Sequence, residues 1–365
     1  MRYLAVFIVV LLVLSSACLS VKYETQTPSM TPSSSIPDHL GNSSAGTSST
    51  PVETQTKDEV SVGSSNFTVN ETSSPPGPSG GENLSIQSVR SWACWLQNAS
   101  PEVIAESGFD LIVMDYSRDG SDATAYTREE IEEIKRAGVI PVAYISIGEA
   151  EDYRFYWNGS WKENPPDWLG PENPDWRGNY AVKYWDVEWK EIVFRYLEGI
   201  IAQGFMGVYL DKVDEYWFWA EQGYNENWTA EQMIEFILEI ANYTRSKAGQ
   251  NFIIIPQNGE YLLEYDNGTL LATVSGWASE DVFYNGLEPS PWMAEKVPLL
   301  DRVVEAGKPV FVIDYVDDGS GSEENLARIL DFIEKVRRAG FIPYVAFEDR
   351  ELDRLDIIPG IQPPT

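Results

Sequence analysis

A single histidine and two cysteines exclude more chemistry than any motif in these 365 residues adds. His39 and Cys18 lie close to the N-terminus, so residues 88–357 hold no histidine and only Cys94. Without an imidazole that region cannot run a Ser-His-Asp or Cys-His nucleophile, nor a His-ligated zinc site. Esterases, most proteases and zinc-dependent deacetylases drop out together. With one thiol, no intrachain disulfide braces the region. Basic residues are also scarce, 26 Lys and Arg against 57 Asp and Glu, for a net charge of −31. That balance argues against nucleic acid and against direct binding to anionic lipid. It suits a cationic ligand, or simply a soluble acidic surface. No apolar run is long enough for a stable membrane span, and no calcium-binding loop pattern occurs.

What is present divides the chain into four parts. Residues 1–20 combine a basic start, an apolar core and the small residues Ser15-Ser16-Ala17 before Cys18, the pattern of an export signal. Cys18 is placed like the lipid-attachment cysteine of prokaryotic lipoproteins, and a cell-surface protein anchored through it is expected. Residues 21–87 are rich in Ser, Thr, Pro and Gly and too poor in apolar residues to offset their ordering entropy, which predicts a disordered stalk. Sequons crowd it at Asn42, Asn66, Asn70 and Asn83. Residues 88–357 suit one domain, and 358–365 form a short tail.

Within 88–357, strand-like and helix-like segments alternate, the signature of βα units on a parallel sheet. Strands are predicted over 91–97, 111–116, 139–147, 204–211, 252–256, 272–276, 309–314 and 342–347. Thr127-Arg128-Glu129-Glu130 is a capping box that opens a helix. Arg136-Ala137-Gly138-Val139-Ile140-Pro141 recurs as Arg338-Ala339-Gly340-Phe341-Ile342-Pro343, a glycine helix stop followed by a strand. Eight such units make a (β/α)8 barrel of the TIM type the leading fold. An open doubly wound sheet is second, because no glycine-rich phosphate loop follows the first strand.

In that fold the strand tips gather at one face, where active sites sit. The tips here are Asp115, Ser146 with Glu149, Asp211 with Lys212, Gln257 with Asn258, Glu280, Asp314 with Tyr315, and Glu348. Gly207-Val208-Tyr209-Leu210-Asp211-Lys212-Val213-Asp214 stands out, an apolar run released abruptly into charge. Asp214 and Asp119 read more simply as helix caps. Two carboxylates flanking a bond are the minimum equipment for glycosidic cleavage. Trp-rich segments at 152–186 and 216–228 offer flat faces for sugar rings, or else pack over the barrel end. Two further readings remain: a glycan-binding protein without catalysis, and a Ca²⁺ or Mg²⁺ site on Asp115, Asp211 and Asp314.

The domain resembles glycoside hydrolase family 114, the endo-α-1,4-polygalactosaminidase type of barrel. The resemblance rests on Asp115-Tyr116, Tyr144-Ile145-Ser146-Ile147-Gly148-Glu149 with Tyr153-Arg154, the Asp211-Lys212-Val213-Asp214 stretch, Gln257-Asn258 and Ser279-Glu280. It implies Asp211 as nucleophile and Glu280 as general acid/base of a retaining glycosidase acting inside a polysaccharide. It also implies substrate contacts from Asp115, Tyr144, Ser146, Glu149, Lys212, Gln257, Asn258, Asp314, Tyr315 and Glu348. No cofactor, no metal and a monomer are expected. Lys212 stands where the family usually has Asn, and Gln257 where it usually has Lys, so a positive charge moves between neighbouring strand tips. Beside Asp211, Lys212 is expected to hold the nucleophile ionised.

Overall fold

The computed structural model describes residues 84–364. The expected export signal with Cys18, nearly all of the stalk and the sequons at Asn42, Asn66, Asn70 and Asn83 lie outside them. Eight parallel strands run through the described residues: β1 (Trp92–Trp95), β2 (Leu111–Met114), β3 (Ile140–Ser146), β4 (Gly207–Asp211), β5 (Ile253–Pro256), β6 (Trp277–Glu280), β7 (Val310–Asp317) and β8 (Ile342–Phe347). Each lies beside its neighbours in sequence. Ladders join β1 through β5 and, separately, β6 through β8. A single bridge between Gln257 and Ala278 connects the two groups. At the other end the Trp92 indole donates to the Ile342 carbonyl at 3.0 Å, which brings β8 against β1. The α/β organisation on parallel strands matches the alternation in the sequence.

These strands form because their residues are buried on both faces. β2 and β3 are buried at every position, as continuous apolar runs in parallel sheets should be. Trp92 from β1 is fully buried and meets Tyr209, Phe311 and Tyr344, which come from β4, β7 and β8. One large side chain thus ties four strands together from inside, where area burial is most favourable.

Helices return the chain between strands. The Thr127–Glu130 capping box is complete, and Gly138, Gly307 and Gly340 take left-handed φ of 93°, 74° and 81° where the helices stop. Two expectations shift. The strand expected over 272–276 is instead β6, starting at Trp277, because Asp266 accepts from the amides of Leu270 and Leu271 and winds Thr269–Thr273 into a helical turn. The expected loop over 216–228 contains a helix, Glu215–Glu221. The segment expected as a tail is also engaged: the buried Gln362 amide bonds both the N–H and the carbonyl of Val345 on β8.

Between β3 and the helix Val187–Gln203, the long aromatic insertion folds into a three-stranded antiparallel patch of Glu149–Glu151, Leu169–Glu172 and Asn179–Val182.

Candidate active site

The C-terminal ends of the strands open into one cavity of ≈ 720 Å³. β4 delivers Asp211 to it. One carboxylate oxygen accepts from the Tyr144 hydroxyl of β3 at 2.5 Å, and the other from the backbone N–H of Lys212 at 2.7 Å. That second bond exists because Lys212 turns back at a left-handed φ of 61°. Gly148 makes the turn possible from the other side, since a Cβ there would lie 2.1 Å from the Lys212 carbonyl oxygen.

β6 delivers Glu280, which accepts from the Gln257 side-chain amide of the segment after β5. Asn258 holds the Glu280 backbone N–H through its side-chain oxygen at 3.0 Å. Lys296 reaches the Glu280 carbonyl at 2.9 Å and the buried Glu260 at 3.3 Å. Arg350 clamps Asp281 with two bonds, at 2.7 and 3.0 Å, and lies 4.1 Å from the centre of the Tyr315 ring. Asn258 and Asp281 adopt φ of 56° and 55°. Left-handed backbone at non-glycine residues costs about 1 kcal/mol or more apiece. It is concentrated here, just past the strand tips.

Burial raises the pKa of both carboxyls, to different levels. For Asp211, loss of solvent outweighs the Lys212 charge and the Tyr144 hydrogen bond, and the pKa rises to about 6. For Glu280, burial and the negative charges of Asp281 and Asp211 exceed the pull of Arg350 and Lys296, and the pKa rises to about 8. Near neutrality Asp211 is therefore the anion and Glu280 the acid. Environments that separate two carboxyl groups in this way assign their roles in acid/base chemistry. Lys212 is the strongest influence favouring ionised Asp211, though burial outweighs it, and its ammonium also pairs with Glu149 at 3.3 Å and Glu215 at 3.7 Å.

The other expected residues divide into two groups. Asp115, Tyr144, Glu149, Lys212, Gln257, Asn258 and Tyr315 line the cavity together with Asp211 and Glu280. Ser146, Asp314 and Glu348 do not. The Ser146 hydroxyl accepts from the Glu149 N–H inside the turn. Asp314 is fully buried and accepts from three successive backbone N–H groups, those of Val282, Phe283 and Tyr284 at 2.8–2.9 Å. Its carboxylate holds the loop after Glu280 and is buried away from the cavity. Glu348 is exposed to solvent. Asp115, Asp211 and Asp314 do not form a common metal site, and no cluster of three or more His, Cys, Asp or Glu placed to hold a metal occurs among the described residues.

The structure gives several further residues of the cavity a setting that the sequence did not. The buried Arg154 bridges Asp115 at 2.5 Å and Glu151 at 2.6 Å and lies 5.8 Å from the centre of the Tyr144 ring. Burial raises the Asp115 pKa, against the opposing pull of that guanidinium. Cys94 lines the cavity, with its thiol pushed well up by burial and by the charges of Glu280 and Asp211. Asp119 is not the expected helix cap: Ser121 is the N-cap of the short turn Asp122–Thr124, and Asp119 lines the cavity while accepting from the Ser121 N–H at 3.0 Å. Asp214 makes no capping bond and lines the cavity instead. Of the tryptophans in the two rich segments, only Trp176 lines it. Trp157, Trp161, Trp168, Trp185, Trp219 and Trp228 pack against other aromatic rings.

A model of the glycoside-hydrolase family GH114 matches residues 72–361. An uncharacterized protein of Methanocaldococcus jannaschii is 61% identical over 268 residues, covering 73% of this chain and 78% of its own. An uncharacterized protein of Thermotoga maritima is 52% identical over 276 residues, covering 75% and 85%. Among solved structures, the glycoside hydrolase domain of PelA from Pseudomonas aeruginosa superposes with a TM-score of 0.57 at 18% identity, over 74% of this chain and 98% of that one. Aspergillus fumigatus Ega3, solved in complex with galactosamine, gives 0.52 at 18% identity, over 72% and 94%. At such identities the two structures speak for the fold.

Proposed function

The chain belongs to glycoside-hydrolase family GH114, and from that premise we propose that it cleaves internal α-glycosidic bonds of a polysaccharide by a retaining mechanism on an eight-stranded barrel. The observation that carries this reading is the pair Asp211 and Glu280 on one cavity, with pKa values raised to about 6 and about 8. Asp211 attacks the anomeric carbon while Glu280 gives its proton to the departing oxygen. The Glu280 carboxylate then takes a proton from water, which attacks the same carbon and frees Asp211. Tyr144 and the Lys212 N–H aim the nucleophile, and Gln257 orients the acid. Asp115, Glu149, Asn258 and Tyr315 supply the remaining polar wall. The reaction needs no cofactor.

A galactosaminoglycan is the first polymer to try, given the ligand in the Ega3 structure. We place the protein on the cell surface as a monomer, exported by residues 1–20 and held to the membrane through a lipid on Cys18. The test is release of reducing ends from a panel of polysaccharides by wild type, Asp211→Asn and Glu280→Gln. Loss in both variants with folding intact is the expected result, and NMR of the first-formed anomer reads the stereochemistry. Binding without any release by wild type would leave a glycan-binding protein in place of an enzyme.

A further inference from the structure

Every other tryptophan of the aromatic insertion has a packing role, but Trp176 has none among the described residues. It is 55% exposed, its ring stacks on no other aromatic ring, and its indole N–H has no acceptor there. Its backbone, by contrast, is tightly held. Asn173 accepts from the N–H groups of Asp175 and Trp176 at 3.0 and 3.3 Å, and the Trp176 carbonyl accepts from the Asn179 N–H at 3.1 Å. The same Asn173 donates to Glu149 at 2.7 Å, and Glu149 pairs with Lys212, the residue after Asp211. A flat apolar face is thus set at the cavity wall by a chain of polar contacts leading back to the nucleophile. The cavity, ≈ 720 Å³, is larger than one pyranose fills.

We propose that Trp176 is the platform of an outer subsite that stacks the apolar face of a pyranose unit several units away from the bond being cut. This rests on the glycosidase reading above for the identity of the chain being bound. Stacking on one aromatic face should be worth about tenfold in affinity. It comes into play only when the oligosaccharide is long enough to reach it.

The probes are α-1,4-linked galactosamine oligosaccharides from dimer to octamer, as free amines and N-acetylated. Wild type and Trp176→Ala are compared in hydrolysis, and Glu280→Gln with and without Trp176→Ala in calorimetric binding. The expected result is a length-dependent gain in kcat/KM and affinity that Trp176→Ala removes by about tenfold for long oligomers and leaves unchanged for dimers. Trp176→Phe should retain most of the gain, which separates stacking from a disturbed loop. An equal loss at all lengths, or an unchanged profile, overturns the subsite. If wild type cleaves nothing but binding still lengthens with the oligomer through Trp176, the glycosidase reading fails and the subsite stands. If neither form of the sugar binds at any length, both fall.

Discussion

Replacing Tyr144 with Phe removes one hydroxyl from the site and leaves the ring beside Arg154 in place. That hydroxyl donates to Asp211 and favours its ionised form. A hydrogen bond to a charged group is worth about 1.5–3 kcal/mol, and ~1.4 kcal/mol corresponds to one pKa unit. Losing it should therefore raise the Asp211 pKa by about one to two units above its value of about 6. The working form of the pair has Asp211 ionised and Glu280 protonated. Activity consequently falls on the acidic side as Asp211 takes up a proton and on the basic side as Glu280 loses one. In wild type the limbs stand at about 6 and about 8, and about 80% of the molecules are in the working form at pH 7. Raising the lower value to about 7.5 leaves about a quarter. Tyr144→Phe should thus lose about fourfold at pH 7 from protonation alone and narrow its profile from the acidic side. The assay is kcat/KM for reducing-end release across the pH range. An acidic limb that stays in place while the rate drops would refute the idea that Tyr144 tunes Asp211.

Arg154→Met strips the one basic partner that Asp115 and Glu151, both buried, have among the described residues, and should cost about 3–5 kcal/mol in urea unfolding. A change below about 1 kcal/mol would mean that the triad is not held as described. Asp314→Ala leaves three backbone N–H groups without their acceptor and should lower stability by upwards of about 3 kcal/mol. The KM of the remaining folded enzyme should be unchanged, whereas a direct sugar ligand would raise it. Cys18→Ser should move the protein from the membrane fraction to the soluble one, and retention in the membrane would remove the lipid anchor.

The elements were legible where periodicity and punctuation coincided. Thr127 and Glu130 opened a helix, and Gly138 and Gly340 closed two, because capping and left-handed glycine are local chemistry. β6 was misplaced because Asp266, a few residues upstream, captures amides that would otherwise extend. The site was harder to read. Asp211 and Asp314 look alike in sequence, each an acid ending an apolar strand. Asp211 opens to the cavity, whereas three amides of the preceding loop close on Asp314. Only the path of that loop makes the difference, and no residue near Asp314 announces it. The pairing of Arg154, named in the sequence only beside Tyr153, was equally hidden, since one of its partners, Asp115, lies 39 positions away. For the tryptophans the sequence left two readings open, and for most of them packing on one another is the outcome, so sugar-facing surface cannot be inferred from abundance.

The left-handed turns at Asn258 and Asp281 set heat tolerance against speed. Each would relax as glycine, so selection for durability alone would drift toward Gly at these positions. Each also carries a side chain that the working pair depends on: the Asn258 oxygen on the Glu280 N–H, and Asp281 under Arg350. A lineage that hardened this rim would keep its barrel and its carboxylates while losing their aim. Among GH114 chains, then, glycine at these two turns would mark members that have traded turnover for endurance or have left catalysis behind.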